Sequence, residues 1–265
     1  MAAVVLVLLT LAASVGPLLV KRDILPNPLS MDLDSLKQPP GAAHLFGTDN
    51  KGRDILSRVV YGARISLSVG IIASAISLGI GVFLGLIAGY FGGLVDVVLS
   101  QIFDIFLAFP SLLLAIGISA VMPPGLTSAM LAITLVGWAG FARLVRGMTL
   151  TLKEQTYVEA SKALGASSSR ILCRHILPNA LPLIFVAGSL RVGGFILIEA
   201  SLSFLGLGVQ PPTPTWGSMI SLNRSYINVA PWMILFPGLA ISITVIAFNV
   251  LGDFLRDKLD PRMRA

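Results

Sequence analysis

The chain has 265 residues, of which 55% are apolar and 12% are charged, whereas charged residues make up roughly a quarter of an ordinary soluble domain. This composition excludes a typical water-soluble domain. The net charge of +6 could suggest nucleic acid, but the basic residues lie in short segments beside apolar runs, so no nucleic-acid partner is expected. The two histidines, His44 and His175, both lie in polar segments, which excludes a membrane-embedded haem held by paired histidines and a His-rich metal site. The single cysteine excludes an internal disulfide.

Charged residues are unevenly distributed along the chain: residues 65–142 contain only Asp96 and Asp104, and residues 225–252 contain none. A membrane-spanning helix needs about 20 apolar residues at a rise of about 1.5 Å per residue. The sequence therefore predicts an all-α, polytopic membrane protein with about six transmembrane helices. We place these helices near residues 2–20, 66–88, 95–120, 128–145, 181–205 and 232–251.

The first apolar run could instead be a cleaved signal peptide. No Lys or Arg precedes it, and it exceeds the usual apolar region of a signal peptide, so a retained helix is favoured. The predicted organisation is a first transmembrane helix at 1–20, an extracytoplasmic loop at 21–65, and a helical core at 66–265 with five transmembrane helices and a cytoplasmic loop at 146–178. Six crossings put both termini and this last loop on one side, and a small excess of Lys and Arg there favours the cytoplasm.

Gly81, Gly85 and Gly89 recur at every fourth residue of the second predicted helix. Residues at this spacing share a helix face, and small residues let a second helix approach closely. The pattern predicts helix packing and carries no information about a substrate. Trp216 and Trp232 are expected at the membrane–water interface, where tryptophan is enriched.

The segment between the fourth and fifth predicted spans runs Tyr157-Val158-Glu159-Ala160-Ser161-Lys162-Ala163-Leu164-Gly165 and closes with His175-Ile176-Leu177-Pro178. Its small and apolar residues recur at helical spacing, and Gly165 can adopt the left-handed geometry that ends a helix. Ser167 or Ser168 could cap a following helix. The pattern predicts a helix, a sharp turn and a second helix, serving either as an ordinary interfacial loop or as a helix that inserts into a groove on a soluble partner.

Three segments carry a resemblance to a known family. Glu159-Ala160-Ser161, Gly165 and Leu177-Pro178 resemble the EAA loop of permeases from ATP-binding cassette (ABC) importers, with two departures: Ser161 replaces an alanine and His175 replaces an isoleucine. Two further segments resemble the C-type permease subunit of dipeptide, oligopeptide and nickel importers. These segments are Phe46-Gly47-Thr48-Asp49-Asn50-Lys51-Gly52-Arg53-Asp54 and Glu199-Ala200-Ser201-Leu202-Ser203-Phe204-Leu205-Gly206-Leu207-Gly208, the latter followed by Pro211-Pro212-Thr213-Pro214-Thr215-Trp216-Gly217.

The resemblance implies the type I importer permease fold in a prokaryotic inner (plasma) membrane, with the EAA loop and both termini in the cytoplasm. It also implies a heterodimer with a homologous B-type permease, two cytoplasmic ATPase subunits and an extracytoplasmic substrate-binding protein. The expected ATPase-coupling residues are Tyr157, Glu159, Ala160, Ser161, Lys162, Leu164, Gly165, Leu177 and Pro178.

No phosphate-binding loop of the form Gly-x4-Gly-Lys-Ser/Thr occurs in the chain, and this is the motif whose backbone amides and lysine hold nucleotide phosphates. The chain is therefore expected to be a translocation subunit rather than an enzyme. It needs no cofactor of its own, and ATP and Mg²⁺ would be bound by the partner ATPase subunits.

Asp104, Arg191 and Glu199 lie inside predicted spans, where a charge facing lipid is costly. They are expected either to pair with other helices or to line a hydrophilic translocation path. Arg191 and Glu199 are eight residues apart, about 80° around a helix, so they share a broad face without touching.

The favoured cargo is a dipeptide or oligopeptide, and nickel is the alternative because the same motifs occur in both kinds of importer. A secondary transporter would also explain the spans, but it would ordinarily show internal repeats, which are not evident here. An intramembrane enzyme would need a nucleophile with a base, or metal ligands, inside the spans. The spans contain no histidine, and Asp96 and Asp104 are about 80° apart on one helix, so they do not form a facing pair.

Overall fold

The computed structural model describes residues 25–259, and the predicted first transmembrane helix at 1–20 lies outside that range. Within it, the helices are α1 (Ile55–Phe91), α2 (Gly93–Ala108), α3 (Ser111–Ala120), α4 (Leu126–Lys153), α5 (Thr156–Ala163), α6 (Ser168–Ile171), α7 (Leu177–Phe204), α8 (Trp216–Asn223) and α9 (Trp232–Leu259). A π-helical turn, Leu172–Ile176, makes α6 continuous with α7.

The predicted all-α, polytopic membrane fold is confirmed for this part of the chain. Four helical segments are long and apolar enough to cross a membrane: Ile55–Phe91, Leu126–Lys153, Ser168–Phe204 and Trp232–Lys258. A fifth crossing is formed if α2 and α3 are taken together. Five spans beside the predicted N-terminal helix agree with about six in total.

The prediction of one uninterrupted helix at 95–120 is wrong, because α2 and α3 are bent by 86° relative to each other. The bend lies at Phe109 and Pro110. Phe109 is extended, with φ −92° and ψ 138°, as the residue before a proline prefers, and Pro110 has no amide hydrogen to continue the helix. The span is therefore broken near its middle.

The first described span begins at Ile55, well before the predicted start at residue 66. Asp54 is extended and its carboxylate accepts a hydrogen bond from the amide of Ser57 at 2.8 Å. This is an N-cap, which satisfies an amide that has no partner inside the helix. Residues 55–65, predicted as loop, are the first three turns of α1.

Helices α1 and α4 pack closely along one face, where the predicted glycine pattern lies. A Cβ added to Gly85 would come within 2.6 Å of the Ala142 carbonyl oxygen, and one added to Gly89 would come within 2.6 Å of the Thr149 Cβ. A Cβ on Gly81 would lie 2.8 Å from the Trp138 carbonyl oxygen. All three distances are below van der Waals contact, so this crossing requires residues without side chains.

The opposite side of the bundle is formed by α1, α7, α8 and α9. Ile55, Leu67, Ile196, Trp216 and Met233 are buried in one cluster there. Residues 25–54 (the 25–54 segment) fold over the end of this cluster, where Phe46 stacks on Phe236 with ring centroids 3.9 Å apart. The Trp232 Nε1 donates to the Thr48 carbonyl at 3.2 Å. The bundle therefore has two distinct ends, one closed by the 25–54 segment and one carrying α5.

Candidate functional site

Helix α5 is short and ends in a left-handed turn at the predicted glycine. Gly165 has φ +82°, a conformation that side chains other than those of Gly and Asn rarely adopt. The Ala166 amide donates back to the Ser161 carbonyl at 3.1 Å, and the Gly165 amide donates to the Lys162 carbonyl at 3.0 Å. Ser167 then caps α6 by accepting from the Arg170 amide. The local helix–turn–helix shape agrees with the prediction.

One buried side chain anchors α5 to the rest of the protein. Val158 is 3% exposed and packs with Ile171 and Ile176, together with half-buried Tyr90 near the end of α1. The contact connects α5 both to the end of α1 and to the helical lead-in of α7. A displacement of α5 would therefore act directly on two membrane-spanning helices.

The outward side of α5 is exposed, and its apolar tip has no cover within the described residues. Leu164 is 88% exposed and Tyr157 is 42% exposed. Glu159, Ala160, Lys162 and Gly165 are also exposed, whereas Leu177 is half-buried and Pro178 is exposed in the first turn of α7. An exposed leucine on a short helix is the type of group that docks in the groove of a partner.

The two departures from the EAA pattern meet in space. The Ser161 Oγ lies 3.4 Å from the His175 Nε2 and also donates to the Tyr157 carbonyl at 2.8 Å. Ser161 is on α5 and His175 is in the π-helical turn, so this polar contact joins the two arms of the turn. The sequence alone does not predict this contact, because the two residues are fourteen positions apart and no local pattern connects them.

A hydrogen bond from a lysine to a backbone carbonyl connects α4 to α1 beside α5. The Lys153 Nζ donates to the Gly89 carbonyl at 2.9 Å, which is one of the carbonyls left without a helical partner near the end of α1. An open cavity of about 670 Å³ lies between the end of α1 and α5, and Tyr90, Lys153 and Glu159 are among its lining residues. The two membrane helices therefore end in a fixed relation beside α5.

Two ion pairs connect α2 with α4. Asp96 receives hydrogen bonds from the Arg146 guanidinium, including Nη2 to Oδ2 at 2.7 Å, and Asp104 is paired with Arg143. Arg143 and Arg146 are among the basic residues whose small excess favours a cytoplasmic position for this side of the protein. The structure places them in α4 beside acids, so they are weak evidence for orientation.

Glu199 and Arg191 have different surroundings, although both lie on α7. Glu199 is 1% exposed and accepts hydrogen bonds from the Ser203 hydroxyl at 2.7 Å and the Ser66 hydroxyl at 3.2 Å. It is an interhelical contact and does not line a path. Arg191 is exposed, and its guanidinium carbon lies 6.0 Å from the centroid of the Phe141 ring.

A buried charge network, missed by the sequence analysis, closes the end opposite α5. Asp49 is 1% exposed, and its carboxylate accepts from the Arg53 Nε at 2.7 Å and from the amides of Lys51 and Arg53. Arg58 is 2% exposed and donates to the Pro28 carbonyl at 2.7 Å. Asp49, Lys51 and Arg53 lie in the segment that resembles the C-type permeases, whereas Arg58 lies on α1, so the motif and the first turns of α1 together close this end.

The turn within the same motif depends on a second glycine. Gly52 has φ +71°, and a Cβ there would overlap the backbone of Asp32. The Asp32 amide donates to the Lys51 carbonyl at 3.3 Å. Hydrogen bonds from the Ser35 side chain and the Asp34 amide hold the pKa of the exposed Asp32 carboxyl below its usual value. The 25–54 segment is therefore tied to itself as well as to the helices.

Trp216, which is expected at the membrane–water interface, is buried inside the protein. Trp216 is 1% exposed, and its Nε1 donates to the Val59 carbonyl at 3.0 Å. Thr215 and Ser218 form a capping box at the start of α8, and a Cβ on Gly217 would lie 2.7 Å from the Ala200 Cα. The proline-rich connector therefore directs Trp216 into the core, where it joins α8 to α1 and α7.

Comparisons with known proteins agree on one family. The family model described as "Binding-protein-dependent transport system inner membrane component" matches residues 81–265. The dipeptide transport system permease protein DppC of Alkalihalophilus pseudofirmus is 51% identical over 228 residues, which cover 86% of this chain and 75% of that protein. The glutathione transport system permease protein GsiD of Pectobacterium atrosepticum is 48% identical over 234 residues, covering 88% and 78%.

A solved structure shows the same fold at low sequence identity. The inward-facing MetNI methionine ABC transporter aligns with a TM-score of 0.63 at 20% identity, over 78% of this chain and 98% of that chain. An amino acid ABC transporter solved with histidines aligns with a TM-score of 0.54 at 16% identity. These likenesses concern the arrangement of the helices.

Proposed function

Since the chain belongs to the family of binding-protein-dependent transport system inner membrane components, the permeases of ABC importers, we propose that it imports dipeptides or other short peptides. The two relatives described above are named for a dipeptide and for glutathione, which is itself a tripeptide. Their names favour a peptide over nickel as the cargo. The exposed, partly anchored helix α5 is the observation that carries the mechanism.

In this proposal, α5 docks in a groove on a cytoplasmic ATPase subunit. Leu164 at the tip supplies the apolar anchor, and Glu159 and Lys162 supply charges around it. When the ATPases close on ATP, they move α5, and the packing of Val158 passes the movement to α1 and α7. The ATPases must bind the two states of the permease unequally, because equal binding to both would not shift the equilibrium.

The proposed assembly sets the orientation of the chain. The α5 end faces the cytoplasm of a prokaryotic cell, both termini lie on that side, and the 25–54 segment faces outward. A homologous B-type permease completes a heterodimer in the lipid bilayer, two ATPase subunits bind ATP and Mg²⁺, and a substrate-binding protein delivers the peptide. The closed, internally bonded 25–54 segment gives the binding protein a firm surface.

The test is reconstitution of the chain with its B-type permease, both ATPases and the binding protein in liposomes. Uptake of a labelled dipeptide should require ATP and the binding protein. Leu164→Asp should lower uptake at least ten-fold and weaken ATPase co-purification, because it places a charge in the apolar contact. Leu33→Asp, which changes a leucine that is 75% exposed at the opposite end, should leave ATPase co-purification unchanged.

Uptake driven by an ion gradient without ATPases would contradict the proposed function and favour the secondary transporter. Equal ATPase co-purification for wild type and Leu164→Asp would contradict docking through α5 while leaving the family assignment in place.

A further inference from the structure

We propose that Arg191 is a binding group for the carboxylate of the transported peptide, exposed on the translocation path within the membrane. The inference rests on the proposed function, since it assumes that the cargo is a peptide. It assigns a ligand to a residue whose surroundings differ from those of Asp104 and Glu199, the two other charges predicted inside the spans.

The position of Arg191 along α7 puts it deep in the membrane. The helix runs from Leu177 to Phe204, so Arg191 is about 20 Å from either end at a rise of about 1.5 Å per residue. The hydrocarbon core is about 30 Å thick. An exposed guanidinium at this depth must face water or another protein, because facing lipid would be costly.

Helix α4 packs against one side of the Arg191 guanidinium. A Cβ on Gly140 would lie 2.9 Å from the Arg191 Nη2, so the absence of a side chain at residue 140 makes the space that the group occupies. The Phe141 ring lies beside it, 6.0 Å from centroid to guanidinium carbon, within the range of a cation–π contact. These contacts hold the guanidinium in place, while its N–H groups stay available to an acceptor.

Those donors have no acceptor within residues 25–259. The structure shows neither a hydrogen bond nor an ion pair for Arg191. Asp96, Asp104 and Glu199 are engaged elsewhere, with Arg146, with Arg143 and with two hydroxyls. Asp253 and Asp257 are exposed near the end of α9 and form no ion pair with Arg191. Arg191 therefore has no counter-ion among the described residues.

A carboxylate fits the vacant donors. The guanidinium presents planar, paired N–H groups that match the two oxygens of a carboxylate, and every peptide with a free C-terminus carries one. The surface is open, so the contact would be hydrated and brief, as passage through a transporter requires. An acidic side chain of the B-type permease is the competing acceptor, and the experiments below separate the two.

The first experiment compares Arg191→Gln with wild type in the reconstituted importer. Two dipeptides are used, one with a free C-terminus and one amidated, each at a concentration that saturates the binding protein. Arg191→Gln should reduce uptake of the free dipeptide at least five-fold more than uptake of the amidated one, and Arg191→Lys should restore part of the difference. The matched control is Arg143→Gln, which removes an arginine already paired with Asp104 and should reduce both uptakes by the same factor.

The second experiment measures the charge around Arg191 without removing it. Gly194 lies one turn further along α7, is exposed, and has open space at its Cβ position. Gly194→Cys, in a Cys173→Ser background, is treated with anionic and neutral water-soluble thiol reagents in the full complex. The anionic reagent should react several-fold faster than the neutral one, and added Arg191→Gln should abolish that preference.

The outcomes distinguish the alternatives. An equal loss of both dipeptides in Arg191→Gln overturns the carboxylate role, and so does a lack of preference for the anionic reagent, which would indicate an acid of the B-type permease beside Arg191. Wild type that hydrolyses ATP but takes up neither dipeptide would overturn the proposed cargo instead.

Discussion

The two ends of the helical bundle are stabilised by opposite means. At the end formed by the 25–54 segment, charged groups are buried and hydrogen-bonded: Asp49 and Arg58 are 1% and 2% exposed. At the α5 end, Val158 anchors an otherwise exposed helix whose tip, Leu164, is 88% exposed. One end is closed on itself, while the other leaves an apolar tip exposed among the described residues.

The difference between the two ends predicts where mutations should affect stability and where they should affect the coupling of transport to ATP hydrolysis. Removing one member of a buried, hydrogen-bonded ion pair leaves its partner's charge uncompensated in a low dielectric, which is strongly destabilising. Removing an exposed group typically changes stability little. Mutations near the start of α1 should therefore affect mainly stability, and mutations near its end, beside α5, should affect mainly the coupling of transport to ATP hydrolysis.

Asp49→Ala is expected to produce the largest effect. It leaves Arg53 and Arg58 buried without their shared carboxylate, and the free energy of unfolding should fall by about 3–5 kcal/mol. Thermal unfolding of the purified complex in detergent measures the change. Asp34→Ala, at an exposed position of the same segment, serves as the control, and similar melting temperatures for the two variants would show that the network contributes little.

Gly165→Val tests the other end and should act on transport more than on stability. Valine is strained at φ +82°, so the turn after α5 should change, although open space surrounds the position. Peptide uptake should fall about ten-fold, a difference of roughly 1.4 kcal/mol in coupling, with little change in melting temperature.

Gly165→Asn is the matched variant for this test, because asparagine tolerates left-handed geometry. It should retain most of the uptake. If Gly165→Asn loses as much uptake as Gly165→Val, backbone geometry is not the cause.

The same two ends differ in how far the sequence could predict them. The helix–turn–helix around α5 follows from local signals: helical spacing, a glycine at the turn and Ser167 as a cap. The 25–54 segment was predicted only as a loop, because the burial of Asp49 and Arg58 depends on contacts with Arg53 and Pro28 that no local pattern encodes. The hydropathy pattern predicts which segments cross the membrane. It does not predict which charged side chains form ion pairs or hydrogen bonds.

Some of the differences had local signals. Asp54 directly before an apolar run is a typical N-cap and could have placed the start of α1, and Pro110 within an apolar run could have indicated the break between α2 and α3. Trp216 had no such signal, since its burial depends on α1 and α7 meeting α8. The sequence places Asp104, Arg191 and Glu199 on membrane helices, but only three-dimensional contacts separate Glu199 from Arg191.

Ser161→Ala should produce the smallest effect, and it measures how much the polar contact between the two arms of the turn contributes. The variant returns this position to the family pattern and removes the Ser161 hydroxyl, which lies 3.4 Å from the His175 Nε2. Because the contact is long and partly exposed, we expect a change below about 1 kcal/mol in unfolding free energy and less than a two-fold change in uptake. A double-mutant cycle with His175→Ile measures the coupling between the two sites. A large loss of uptake in Ser161→Ala alone, without coupling to His175, would mean that the hydroxyl contacts the ATPase rather than the other arm of the turn, and the docking surface would then extend from Leu164 toward Ser161.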